Sequence, residues 1–102
     1  MAATDNAAEQ AAHIAEKIRA GKTTLGIEFG STRIKAVLID DTYTTIAAGD
    51  YGWASHLEDG LWSYSQEEIW TGLQTAYAAL AEDVENAYGE KLTRVGRIGF
   101  SA

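Results

Sequence analysis

The stretch Leu25–Asp40, LGIEFGSTRIKAVLID, limits what this chain can fold into more than any other. Leu25, Ile27 and Phe29 alternate with Gly26 and Glu28, the period of a half-buried strand. Ile34, Ala36 and Leu38 alternate with Lys35, Val37 and Ile39, a second strand that is largely apolar on both faces. Between the two runs lie Gly30, Ser31, Thr32 and Arg33. A connection this short predicts an antiparallel hairpin.

The turn concentrates polar chemistry. Glu28 stands near the end of the first strand, Gly30 bares the backbone, Ser31 and Thr32 bring hydroxyls, and Lys35 opens the second strand. Such a set suits a phosphate. Gly30 lets a ligand oxygen approach main-chain N–H groups with no Cβ in the way. The hydroxyls add donors and Lys35 adds charge, while Glu28 can hold Mg²⁺ directly or through its waters. Gly, Ser and Thr are also ordinary turn residues, so spacing alone favours a plain hairpin turn over a phosphate site.

The rest of the chain arranges itself around that hairpin. Residues 4–20 read as a helix, with Asn6 and Glu9 as a capping box, Lys17 and Arg19 in the last turn and Gly21 after it. Its apolar face is narrow and alanine-rich, and it is expected to cover part of one sheet face, the one opposite the main helix. His13 on this helix has no second ligand near it in sequence. Asp40–Tyr43 is a turn, in which the adjacent carboxylates Asp40 and Asp41 suit Asx-type turn bonding better than paired catalysis. Thr44–Ala48 reads as a third strand ending near Gly49, and Gly52–Tyr64 as a loop. In that loop Trp53, Trp62 and Tyr64 beside Gly60 could stack on a sugar or cover a core edge; His56 is isolated. Ser65 with Glu68 forms a capping box for the main helix. Ile69, Trp70, Leu73, Tyr77, Leu80, Val84 and Tyr88 make its apolar stripe, and Gly89 closes it. Val95–Ala102 reads as a fourth strand.

With 102 residues, 46% of them apolar, the chain can form one small domain. Fifteen acidic against eight basic residues give a net charge of −7, which disfavours nucleic acid and anionic membranes as partners. There is no cysteine, so disulfides and thiolate metal sites are excluded. No signal-peptide pattern and no stretch of transmembrane length is visible, so a cytoplasmic protein is expected.

The hairpin Glu28-x-Gly30-Ser31-Thr32, continued by Lys35, Ala36 and an apolar strand to Asp40, resembles the first phosphate-binding hairpin of the actin/hexokinase/heat-shock-protein-70 ATPase superfamily. Within it the FGGY carbohydrate kinases, which include glycerol, xylulose, ribulose and gluconate kinases, match best. The segment LWSYSQEEIW, Leu61–Trp70, also resembles the family's entry into its first helix, with Ser65 and Gln66 in place of Asp-Pro. Glu28 replaces the family's Asp. The resemblance covers Thr24–Ala102, the opening fraction of such an enzyme.

It implies an α/β, ribonuclease-H-like partial domain over residues 23–102, with sheet order 3-2-1-4, one right-handed crossover helix and an extra N-terminal helical extension over residues 1–22. It further implies phosphoryl transfer from ATP to a sugar or polyol hydroxyl. Gly30, Ser31, Thr32 and Lys35 would bind ATP phosphates and Glu28 would bind Mg²⁺. The family's general base and adenosine pocket lie in its second domain, so no catalytic residue is expected here and the isolated chain should be inactive. The alternatives are a non-catalytic interaction module and a fragment of another superfamily ATPase. Self-association through an unpaired sheet edge is expected in either case.

Overall fold

Alternation of apolar and polar residues builds a meander. β1 (Thr23–Phe29), β2 (Arg33–Asp40) and β3 (Thr45–Gly52) are consecutive antiparallel strands. This computed structural model describes residues 2–52, 56–58, 61–63 and 66–102. Two three-residue strands, β4 (His56–Glu58) and β5 (Leu61–Ser63), pair as a separate ribbon. The helix α2 (Gln66–Tyr88) then leads to β6 (Arg97–Ser101), which lies parallel to β1. The main sheet therefore runs β3-β2-β1-β6, the expected 3-2-1-4 arrangement of the four long strands.

Several expected boundaries move. The third strand continues past Gly49 to Gly52, because its register with β2 persists to Arg33. The fourth begins at Arg97 rather than Val95. The region expected as a loop after Gly52 contains the β4–β5 ribbon among its described residues. Trp53, Gly60, Tyr64 and the helix cap Ser65 lie outside the described residues. The first helix, α1 (Ala2–Arg19), starts before Asn6, so that residue is inside it and is not its cap. The other end is as expected. Gly21 takes φ +71°, its N–H donates to the Ile18 carbonyl (3.1 Å), and the Lys22 N–H donates to Lys17 (2.9 Å). That pair of bonds is the Schellman closure, which a residue with a Cβ enters only under strain.

One sheet face carries the core. Leu25, Ile27, Ile34, Ala36, Leu38, Ile46 and Ala47 pack with Ala76, Leu80 and Val84 of α2. Each large side chain of this set contributes about 1.5–3 kcal/mol by leaving water. The face of α2 that docks is Gly72–Ala76–Leu80–Val84, narrower than the expected stripe. Trp70 is 58% exposed and Tyr77 sits at the margin. Small residues lead because the helix comes very close: a Cβ on Gly49 of β3 would lie 2.3 Å from the Leu80 nitrogen and 2.5 Å from the Ala76 oxygen. Expectation also fails for α1. Its Ile18 enters the same core as Leu25 and Val84, so α1 extends the α2 layer. Among the described residues neither α-helix covers the opposite face.

Candidate functional site

The residues expected to hold phosphate gather on that uncovered face. Cross-strand partners in a sheet share a face. Glu28 faces Lys35 on β2, Lys35 faces Asp50 on β3, and Glu28 faces Ser101 on β6. One row therefore crosses the sheet as Ser101–Glu28–Lys35–Asp50, all four exposed. The neighbouring row contains Gly99 and Gly26, which are register partners. Lacking side chains, they deepen the surface into a cleft of about 360 Å³ lined by Gly26, Glu28, Lys35, Val37, Gly99 and Ser101, among others. Charge alternates along the row. Asp50 is also held by Arg33, whose Nη1 donates to Asp50 Oδ2 at 2.6 Å.

Beyond this row, past the Phe29–Ile34 pair, β1 turns into β2. Ser31 and Thr32 are exposed, not packed in the core. The Gly30 N–H donates to the Arg33 carbonyl at 2.9 Å, closing the hairpin. That donor is committed to the turn, so the expectation that a ligand meets freely offered N–H groups does not extend to Gly30 itself. A Cβ there would sit 3.2 Å from the Arg33 oxygen, so glycine also relieves crowding within the hairpin. Ser101 was not singled out from the sequence. The signal was present in the expected strand order, since a fourth strand parallel to the first brings their ends together.

The second acidic turn behaves differently. Asp40 is buried. Its Oδ1 accepts from the Thr42 N–H (2.9 Å), the Thr42 hydroxyl (2.7 Å) and the Thr44 N–H (3.0 Å), and its Oδ2 from Lys17 Nζ (3.3 Å). Burial pushes its pKa up, but the bonds from Thr42, Thr44 and Lys17 outweigh burial and hold the carboxyl well below the usual range. Lys17 also reaches Asp41 Oδ1 at 2.9 Å. The hydrogen bond to Asp41 leads in raising the Lys17 pKa, and the one from Lys17 leads in lowering that of Asp41. Every partner here is structural, as the Asx-turn reading expects.

His13 is exposed on α1. Among the described residues no three His, Asp or Glu side chains gather as a metal site, and no helix is long and apolar enough to cross a membrane. Comparison with protein-family models and with curated proteins finds no match.

Proposed function

We propose that this chain is the N-terminal part of an ATP-dependent carbohydrate kinase with a ribonuclease-H-like first domain, and that the β1–β2 hairpin is its phosphate-binding element. The observation that carries the reading is the exposed Ser31–Thr32 turn beside the Glu28–Lys35 pair, at the end of an open cleft. The sheet order supports the same fold. Ser31 and Thr32 would donate hydroxyls to phosphate oxygens beside the Gly30 backbone, and Lys35 would offset their charge.

A single exposed carboxylate fits Mg²⁺, which keeps several waters and is usually held by one or two carboxylates together with substrate phosphates. Glu28 would hold the ion directly or through its waters, and Mg²⁺ would neutralise phosphate charge. The acceptor is a sugar or polyol. The family's general base has no counterpart among the matching residues, so the chain alone binds without turning over.

Charge-assisted hydrogen bonds contribute about 1.5–3 kcal/mol each, against an association cost of at least about 4 kcal/mol. Two or three contacts therefore give roughly millimolar affinity for Mg·ATP. An amide NMR titration tests this. Shifts centred on Gly30, Ser31, Thr32 and Lys35, lost in Lys35→Ala, are expected. Shifts absent there at about 10 mM nucleotide, or sugar-dependent ADP release by this chain, would refute the assignment. A second reading, an interaction module, is favoured by the bare edge of β6.

A further inference from the structure

The two edges of the main sheet are finished differently. On β3 the Ala48 N–H is capped by Asp83 Oδ2 of α2 (3.0 Å), and the Ile46 carbonyl accepts from the Tyr88 hydroxyl (2.8 Å). Side chains of α2 thus occupy backbone groups that another strand would need. Among the described residues β6 has no such covering: all five of its residues are exposed, Ile98 at 55% and Phe100 at 64%. Beside it runs an apolar groove of about 530 Å³ between β6 and α2, whose lining includes Leu25, Leu73, Tyr77, Val95, Ile98 and Phe100.

We propose that β6 pairs antiparallel with the β6 of a second copy of this chain, joining the two sheets into one. The proposal rests on the second reading, the interaction module, in which β6 is an edge of the sheet. Its occupant follows from the strand's own complementarity. Antiparallel overlap of all five residues puts Gly99 on the two-fold axis. Ile98 then faces Phe100 of the second copy, and Arg97 faces its Ser101. Ile98 and Phe100 share the α2 side, being in register with the buried Leu25 and Ile27. The apolar pairs therefore extend the core across the seam and close both grooves. On the other face Ser101 adjoins Glu28 in register, so Arg97 of one copy crosses Ser101 to meet Glu28 of the other. The symmetry makes two such ion pairs. Net charge −7 on each copy opposes approach, but at physiological salt it is screened beyond about 8 Å, leaving the contact pairs in force.

The chain has no cysteine, so single cysteines report pairing without ambiguity. A Cβ on Gly99 meets nothing within 4 Å, and neither does one on Gly52 at the opposite edge. Facing Cα atoms of an antiparallel pair lie about 4.5–5.5 Å apart, within disulfide reach. Under mild oxidation Gly99→Cys is expected to form a disulfide dimer, and Gly52→Cys is not. Sedimentation equilibrium of the unmodified chain at roughly 10–500 μM, the range of a small interface, should show reversible dimers. Arg97→Glu should weaken them roughly tenfold, because two attractions become repulsions, and Glu28→Arg in the same chain should restore them. A monomer throughout that range would overturn the proposal. So would equal cross-linking at Gly52, or a dimer that neither cross-links at Gly99 nor responds to Arg97→Glu.

Discussion

The two hairpin turns of the meander use similar residues to opposite ends. Asp40–Thr44 has two carboxylates and two threonines, and Glu28–Thr32 has one carboxylate with glycine, serine and threonine. In the first, the Asp40 carboxylate points inward and is saturated by Thr42, Thr44 and Lys17. In the second, the carboxylate and both hydroxyl residues face solvent beside a cleft. A polar turn that satisfies itself is a structural device; one that directs its groups outward can meet a ligand. The difference arises from parity. Asp40 is on the core-facing side of β2 with Ile34, Ala36 and Leu38, whereas Lys35 and its partner Glu28 lie on the other side.

The sharpest way to break this contrast is Asp40→Ala. It strands the Thr42 and Thr44 amides and leaves Lys17 with Asp41 alone, so a loss of about 3 kcal/mol is expected, since hydrogen bonds to a charged group are worth about 1.5–3 kcal/mol each and are not additive. Urea unfolding measures it, and a loss below about 0.5 kcal/mol, the size of an ordinary surface change, would erase the distinction between the turns. Acid should reproduce part of that loss. The folded Asp40 carboxyl titrates below its unfolded value near 3.9. Its contribution is therefore complete above that pH and disappears as pH falls through and below about 4. In Asp40→Ala the acid-induced loss should be smaller; an unchanged pH profile would contradict the assignment.

A gain is expected next to it. Tyr43 sits at φ +64° and is 86% exposed. Its position follows a turn closed by the Tyr43 N–H on the Asp40 carbonyl (3.1 Å), where glycine is the usual occupant. The left-handed conformation costs a residue with a Cβ about 1–2 kcal/mol. Tyr43→Gly should then raise stability by about 1 kcal/mol, after glycine's larger unfolded entropy is deducted. The smallest effect belongs to the other turn. Thr32→Ala should change stability by less than about 0.5 kcal/mol while reducing the Mg·ATP-induced NMR shifts. A large stability loss from it would make that turn a second structural one.

Much of this architecture was legible because it rests on periodicity. The alternation in Leu25–Asp40 located two strands and the hairpin, and Gly21 and Gly89 marked helix ends that both take positive φ. The less legible features depend on partners remote in sequence. The alanines and glycine of α2 look incidental until Gly49 brings β3 against them. Trp70 and Tyr77 fit the helical period, but the contact is too narrow to include them. Ser101 joins the candidate site only through parallel pairing across nearly the whole chain. The face that α1 covers was not legible in its own pattern, because the narrow stripe that buries Ala15 and Ile18 does not name its partner.

The seating of α2 over Gly49 bears on the order of assembly. β2 and β3 are joined by a tight turn and α2 follows after the β4–β5 ribbon, so their contacts span less of the chain than those of β1 with β6. The partnership of β1 with β6 joins Thr24 to Arg97 and must wait for the entire crossover. Non-local parallel pairing is intrinsically slow. The folding nucleus is therefore expected in the meander and α2, with β6 docking after the rate-limiting step. Leu80→Ala should slow refolding, whereas Phe100→Ala, which removes the β6 ring stacked on Phe29, should act more on unfolding. A chain that folds in this order holds its most exposed strand open longest, at the moment when a neighbour's β6 is equally bare.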